Sequence, residues 1–268
     1  YKAVGYDGGF SLKAALTSIS FTGQLWFTSV QPGSNGPWWS LGYEAWYYAI
    51  FALMFFTNGR KRWLFAGAAM LVAGPKIWLL MPSWLMGVWV WRQIKLGEPA
   101  NYSRAVALAL ALIPLGIYVL AHQALLHLHL LAWTRTILGE DLVHQLQFSD
   151  TFIWSTLLGI LTSAHILGMA GLLSTQKKAG SFARKFGPSI RWLAGGSFAL
   201  YLVHFPIMHF VGAILPGNVD MAWRQVLVLI LPIIAAYAFA ELSERRRPAL
   251  RRYLRSRMRE PGTSALPA

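Results

Sequence analysis

The chain has 268 residues, of which 56% are hydrophobic and 13% charged, with a net charge of +14 and no cysteine. Without thiols there is no disulfide, no thiolate metal site and no cysteine nucleophile. Apolar runs close to the ~20 residues that cross a bilayer exclude an ordinary soluble core and point to an all-α, polytopic membrane helix bundle.

Residues 1–15 lack the charged-then-apolar plan of a signal peptide, and the chain starts on Tyr1 rather than Met, so further sequence upstream is expected. Residues 12–30, rich in Ser and Thr and carrying Lys13, form an optional first span. Apolar runs with charged or Pro/Gly boundaries then predict spans over 38–57, 63–81, 82–96, 103–121, 151–174, 192–214 and 222–243, seven or eight in all. Pro75 and Pro82 are expected to kink or separate the second and third of these, because proline removes a helix hydrogen bond. Residues 122–149 are too mixed to span and too apolar to float free, which predicts an outer-face helix along the interface. No repeat or linker divides residues 1–258, read as one membrane domain, and residues 259–268 read as a disordered cytoplasmic tail.

The basic residues sort to one side of these spans. Arg60, Lys61 and Arg62, then Arg92, Lys95 and Arg104, then Lys177, Lys178, Arg184, Lys185 and Arg191, and finally the Arg-rich tail all fall together. That alternation places the basic segments and the carboxyl terminus in the cytoplasm. The tail directly follows an apolar run, where Lys and Arg act as membrane anchors and meet anionic lipid; nucleic acid is not the expected partner.

"NGPWWSLGYEAWYYAIFALMFF", residues 35–56, carries a carboxylate, Glu44, inside a run otherwise suited to lipid. An ionised group at that depth costs at least ~2.5–3.5 kcal/mol, so it normally has a partner or a task. At ~1.5 Å per residue, Glu44 and Lys76 lie at matching depth, His209 shares that layer, His204 sits near the midplane and His165 lies deeper. The sequence therefore predicts an ion pair or water-linked network between Glu44 and Lys76, with packing alone or a snorkelling Lys76 as the bland readings. His204 is either a proton carrier or an interhelical hydrogen-bond donor. Ser40 reads first as a helix N-cap. His127, His129 and His144 lack a carboxylate at ligand spacing, so no metal is expected. There is no P-loop, no HExxH and no dinucleotide fingerprint, and "GGSFA" at 195–199 reads as a small-residue packing patch.

Taken together, three segments resemble a known family. "NGPWWSLGYEAWYYAIFALM" resembles the Asn-x-Pro-x-Trp-Ser-Leu-x-x-Glu-x-x-x-Tyr block of the acyltransferase family 3 membrane proteins, "SFALYLVHFPIM" its Ser-x-x-x-Tyr-Leu-x-His-x-Pro block, and "ELSERRRPALRRYL" its closing Glu-Arg-x-x-Pro element. "MPSWLMGVWVW" is similar to a Gly-containing span that the family places after a proline. The resemblance implies transfer of an acyl group, often acetyl, from acyl-CoA to a hydroxyl of a sugar in an envelope polysaccharide, glycolipid or small molecule. It implies no metal or resident cofactor, and a bacterial inner (plasma) membrane location. It also implies a His on a first helix that has no counterpart here, so either upstream helices carry it or the chain lacks transferase activity.

On that footing Glu44 and His204 are the catalytic candidates, and Trp39, Ser40, Tyr43, Tyr47, Lys76 and His209 the substrate-binding ones. Aromatic rings stack on sugar faces, although Trp38 and Tyr48 fit an interfacial belt equally well. Basic loops attract the negatively charged CoA. The alternative is a transporter that moves an acyl group or lipid-linked glycan without chemistry; a purely structural subunit is a third reading.

Overall fold

The computed structural model describes residues 11–174, 181–218, 220–246 and 250–254. The expectations for the first residues, for Lys177 and Lys178 and for the 259–268 tail lie outside them. Among the described residues the chain is all helix, with eleven α-helices, three short 3-10 turns and no strand.

The helices are α1 (Leu12–Ile19), α2 (Trp38–Phe56), α3 (Arg60–Ala73), α4 (Pro75–Leu96), α5 (Arg104–Gln123), α6 (Leu126–Leu138), α7 (Glu140–Leu146), α8 (Phe152–Ser174), α9 (Ser181–Ala194), α10 (Ser197–Ile214) and α11 (Ala222–Leu242). Among the described residues four stretches are long and apolar enough to cross a membrane: Arg104–Gln123, Glu140–Ser174, Ser197–Ile214 and Ala222–Leu254. This is fewer than the seven or eight expected. The eight residues of α1 are too short, and α3 spends its first turn on Arg60, Lys61 and Arg62. With 19 and 22 residues, α2 and α4 have the length, but Trp and Tyr together with Glu44, Lys76, Arg92 and Lys95 dilute their apolarity.

Three boundaries differ from the sequence reading. The chain breaks at Gly74 (φ +84°), not at Pro82, which rides inside α4. Pro75 occupies the first turn, where its missing N–H costs nothing. Gly74 is needed there because a Cβ would lie 2.7 Å from the Trp26 Cα. The run 192–214 is cut by Gly195 and Gly196, so α9 and α10 are separate. A Cβ at Gly196 would come within 2.6 Å of the Tyr237 ring, in keeping with a small-residue packing patch. The 122–149 segment forms two helices, α6 and α7, hinged at Gly139 (φ +83°), where one was expected.

The chain divides into two compact units. One holds residues 11–31 and 39–174, and its tightest seam joins α5 to α8. Gly168 and Gly171 of α8 face Ala107 and Ala111 of α5, and a Cβ at Gly168 would sit 2.4 Å from the Ala111 nitrogen. Backbones approach this closely only where side chains are absent, which is how membrane helices gain contact without a hydrophobic driving force. His165 Nδ1 donates to the Ala111 carbonyl across the same seam at 2.7 Å. The other unit holds residues 32–38 and the described residues from 181 onward, built mainly on α10 packed against α11.

Candidate functional site

The sequence-predicted residues fall into both units. In the α2–α4 unit, Tyr43, Tyr47, Ala73 and Ile77 form a buried cluster flanked by Trp39, Trp46 and Trp84. Tyr47 donates its hydroxyl to the Ile77 carbonyl at 3.0 Å. Ser149 donates to the Lys76 carbonyl at 2.7 Å, which uses its single proton; the 2.8 Å contact between Tyr43 and Ser149 is therefore donated by Tyr43. Trp39 stacks flat on Phe148 with centroids 4.6 Å apart and meets Tyr43 edge-on.

Lys76 is fully buried. Its Nζ donates to Gln24 Oε1 at 3.2 Å and to the Thr28 carbonyl at 2.7 Å. The expected ion pair with Glu44 does not form, and a snorkelling Lys76 is ruled out by its burial. Acceptors from the 20–31 segment, folded over the start of α4, satisfy the ammonium instead. Tyr43, Tyr47 and Lys76, read as substrate-binding residues, are thus buried with their polar atoms bonded to protein partners. Ser40 is the third residue of α2 and not its N-cap, because the helix starts at Trp38. Glu44 is half-buried, and among the described residues its carboxylate has neither a hydrogen bond nor an ion pair.

In the α10–α11 unit, the start of the residue 35–56 block meets the later block. Asn35 Nδ2 donates to the Leu202 carbonyl at 3.1 Å, and the Tyr201 hydroxyl donates to the Pro37 carbonyl at 3.1 Å. Pro206 explains the first bond: it lacks the N–H that would otherwise satisfy Leu202 four residues earlier.

His204 lines a groove of about 410 Å³ between α10 and α11, walled by Leu200 and Met208 on one side and Val228, Leu229 and Ile233 on the other. Its Nδ1 lies 2.8 Å from both the Leu200 and the Tyr201 carbonyls. Carbonyls only accept, so Nδ1 carries the proton, and in the neutral ring Nε2 keeps a lone pair. Nε2 has no hydrogen-bond partner among the described residues. His209, five residues on, is turned roughly 140° around the helix; it packs on Phe205 and does not line the groove.

A family model described as an acyltransferase domain matches residues 3–241. The chain belongs to acyltransferase family 3. No curated protein and no solved structure matches it. As a member of this family, the chain is a membrane acyltransferase in general terms, with a lipid surround and an acyl donor and acceptor as partners.

The two family blocks are joined by the Asn35 and Tyr201 bonds, so the resemblance has a physical counterpart in this acyltransferase family 3 chain. Sequence reasoning missed Gln24, Thr28 and Ser149, because their partners lie 52, 48 and 73 residues away and no local pattern marks them. It also missed the partner of Asn35, although Pro206 marks an orphaned carbonyl in advance. Among the described residues no group of three His, Asp or Glu is placed to hold a metal; His127 instead stacks on His122, 5.4 Å away.

Proposed function

We propose that the chain transfers an acyl group from acyl-CoA to a hydroxyl of a sugar in an envelope polysaccharide, glycolipid or small molecule. One observation carries the reading: His204 has its Nδ1 proton held by two carbonyls and, among the described residues, its Nε2 lone pair unpartnered at an otherwise apolar groove. A sugar hydroxyl is a weak nucleophile and needs a base held in one tautomer. Nε2 takes the hydroxyl proton as the oxygen attacks the thioester carbonyl carbon. The C–O bond forms, the C–S bond breaks, and the departing CoA thiolate recovers the proton from Nε2. Glu44, half-buried and unpaired among the described residues, is proposed separately as a hydrogen-bond acceptor for a ligand of its own unit.

The basic segments support a bacterial inner (plasma) membrane placement with a cytoplasmic carboxyl terminus, where CoA is present. Purified protein in nanodiscs, given radiolabelled acyl-CoA and envelope glycan, should yield labelled ester. His204→Gln should lower that rate by ~10²–10⁴-fold, the usual contribution of a general base. Passage of label across a proteoliposome membrane without ester formation would favour transport.

A further inference from the structure

We propose that the α10–α11 groove is an acyl-chain site and that it selects a chain longer than acetyl, of roughly four to eight carbons. This rests on the transfer reading above. The groove falls inside the ~300–1,000 Å³ range of small-molecule pockets, with a volume of about 410 Å³. Its polarity is nearly spent: Ser197 donates to the Ala194 carbonyl and Tyr201 to the Pro37 carbonyl. What remains for a ligand is an apolar wall with one polar landmark, His204 Nε2. An acyl thioester matches that pattern, having one reactive polar centre and an aliphatic tail.

The dimensions set the length. With the reacting carbonyl beside His204, the groove runs seven residues towards Ser197 and four towards Met208, or about 10 Å and 6 Å of helix. A carbon–carbon bond of about 1.5 Å at an angle near 111° advances an extended chain by about 1.25 Å, so those arms hold about eight and four whole bonds, or chains of roughly four to eight carbons. An acetyl group would leave both empty. Each further methylene buried should improve affinity about four-fold until the groove is full.

Transfer rates in nanodiscs with acetyl-, butyryl-, hexanoyl-, octanoyl- and palmitoyl-CoA test this. We expect a maximum between butyryl and octanoyl. Filling the groove by Val228→Phe or Leu200→Phe should lower the octanoyl-to-acetyl ratio at least ten-fold, and Met208→Ala should move the maximum to longer chains. A wild-type optimum at acetyl, or variants that slow every chain equally, would overturn the site. Loss of transfer with every thioester would sink the transfer reading alone, so the groove is also read without turnover. Octanoyl-CoA with a terminal diazirine is photo-cross-linked and mapped by peptide mass spectrometry. Label at Leu200, Met208 or Val228 that octanoyl-CoA displaces and added phospholipid does not supports the site. Label elsewhere, or displaced equally by phospholipid, overturns it.

Discussion

The amide nitrogen of Asn35 lies 3.1 Å from the Leu202 carbonyl, the one that Pro206 leaves without a helix partner. The segment before α2 therefore acts as a splint on α10, four residues ahead of the proline and two ahead of His204. Losing it exposes an unpaired carbonyl in a half-buried place.

Asn35→Ala should cost about 1–3 kcal/mol, the desolvation penalty of a buried group left unpaired. In a Pro206→Ala background the cost should fall towards zero, because residue 206 then supplies the N–H. Unfolding in detergent of the two single variants and the double variant measures the coupling. Strict additivity would show that the bond carries no stability.

Lys76 and Glu44 share a depth but no bond, whereas Lys76 and Gln24 share one. Stability effects of Lys76→Leu and Glu44→Gln should accordingly add within about 0.5 kcal/mol, while Lys76→Leu with Gln24→Leu should deviate from additivity by about 0.5–3 kcal/mol. The reverse pattern would restore the Glu44–Lys76 pair.

Ser149 links Tyr43 to the Lys76 carbonyl, so its removal leaves the buried Tyr43 hydroxyl without an acceptor, while the Lys76 carbonyl keeps its helix bond. Ser149→Ala should destabilise by about 1–3 kcal/mol, more than Tyr43→Phe, which leaves the Ser149 bond intact. Equal effects in thermal unfolding would argue against the relay.

Gly168→Ala drives a Cβ into the Ala107–Ala111 backbone, with approaches of 2.4–2.8 Å. It should cost at least about 1–3 kcal/mol by overpacking the seam. Gly116, in the middle of α5, has open space for 4 Å around the point where an alanine methyl would stand. Gly116→Ala should stabilise by up to about 1 kcal/mol through helix propensity. Melting temperatures of the two variants, moving in opposite directions, test the contrast.

Sequence periodicity determined the helical class, the membrane setting and, within a residue or two, the bounds of α2, α5, α8 and α11 and the end of α10. These follow from local apolar runs and their charged or glycine borders, which need no knowledge of neighbours. The oddity of Glu44 and the family likeness of the 35–56 and 197–208 blocks were legible for the same reason. The span count was not, because length alone could not discount the aromatic dilution of α2 and α4. Pro75 and Pro82 both looked like breakers between α3 and α4, but only Pro75 stands at the break, next to Gly74, whose turn the close approach of Trp26 requires. Only the tertiary structure decided where the polar atoms spend their bonds. Lys76 finds acceptors 48 and 52 residues away, and Leu202 finds its donor 167 residues away. Hydrogen bonds are short and directional, so depth and residue type set which groups need partners, while the packed backbone sets which partners they get.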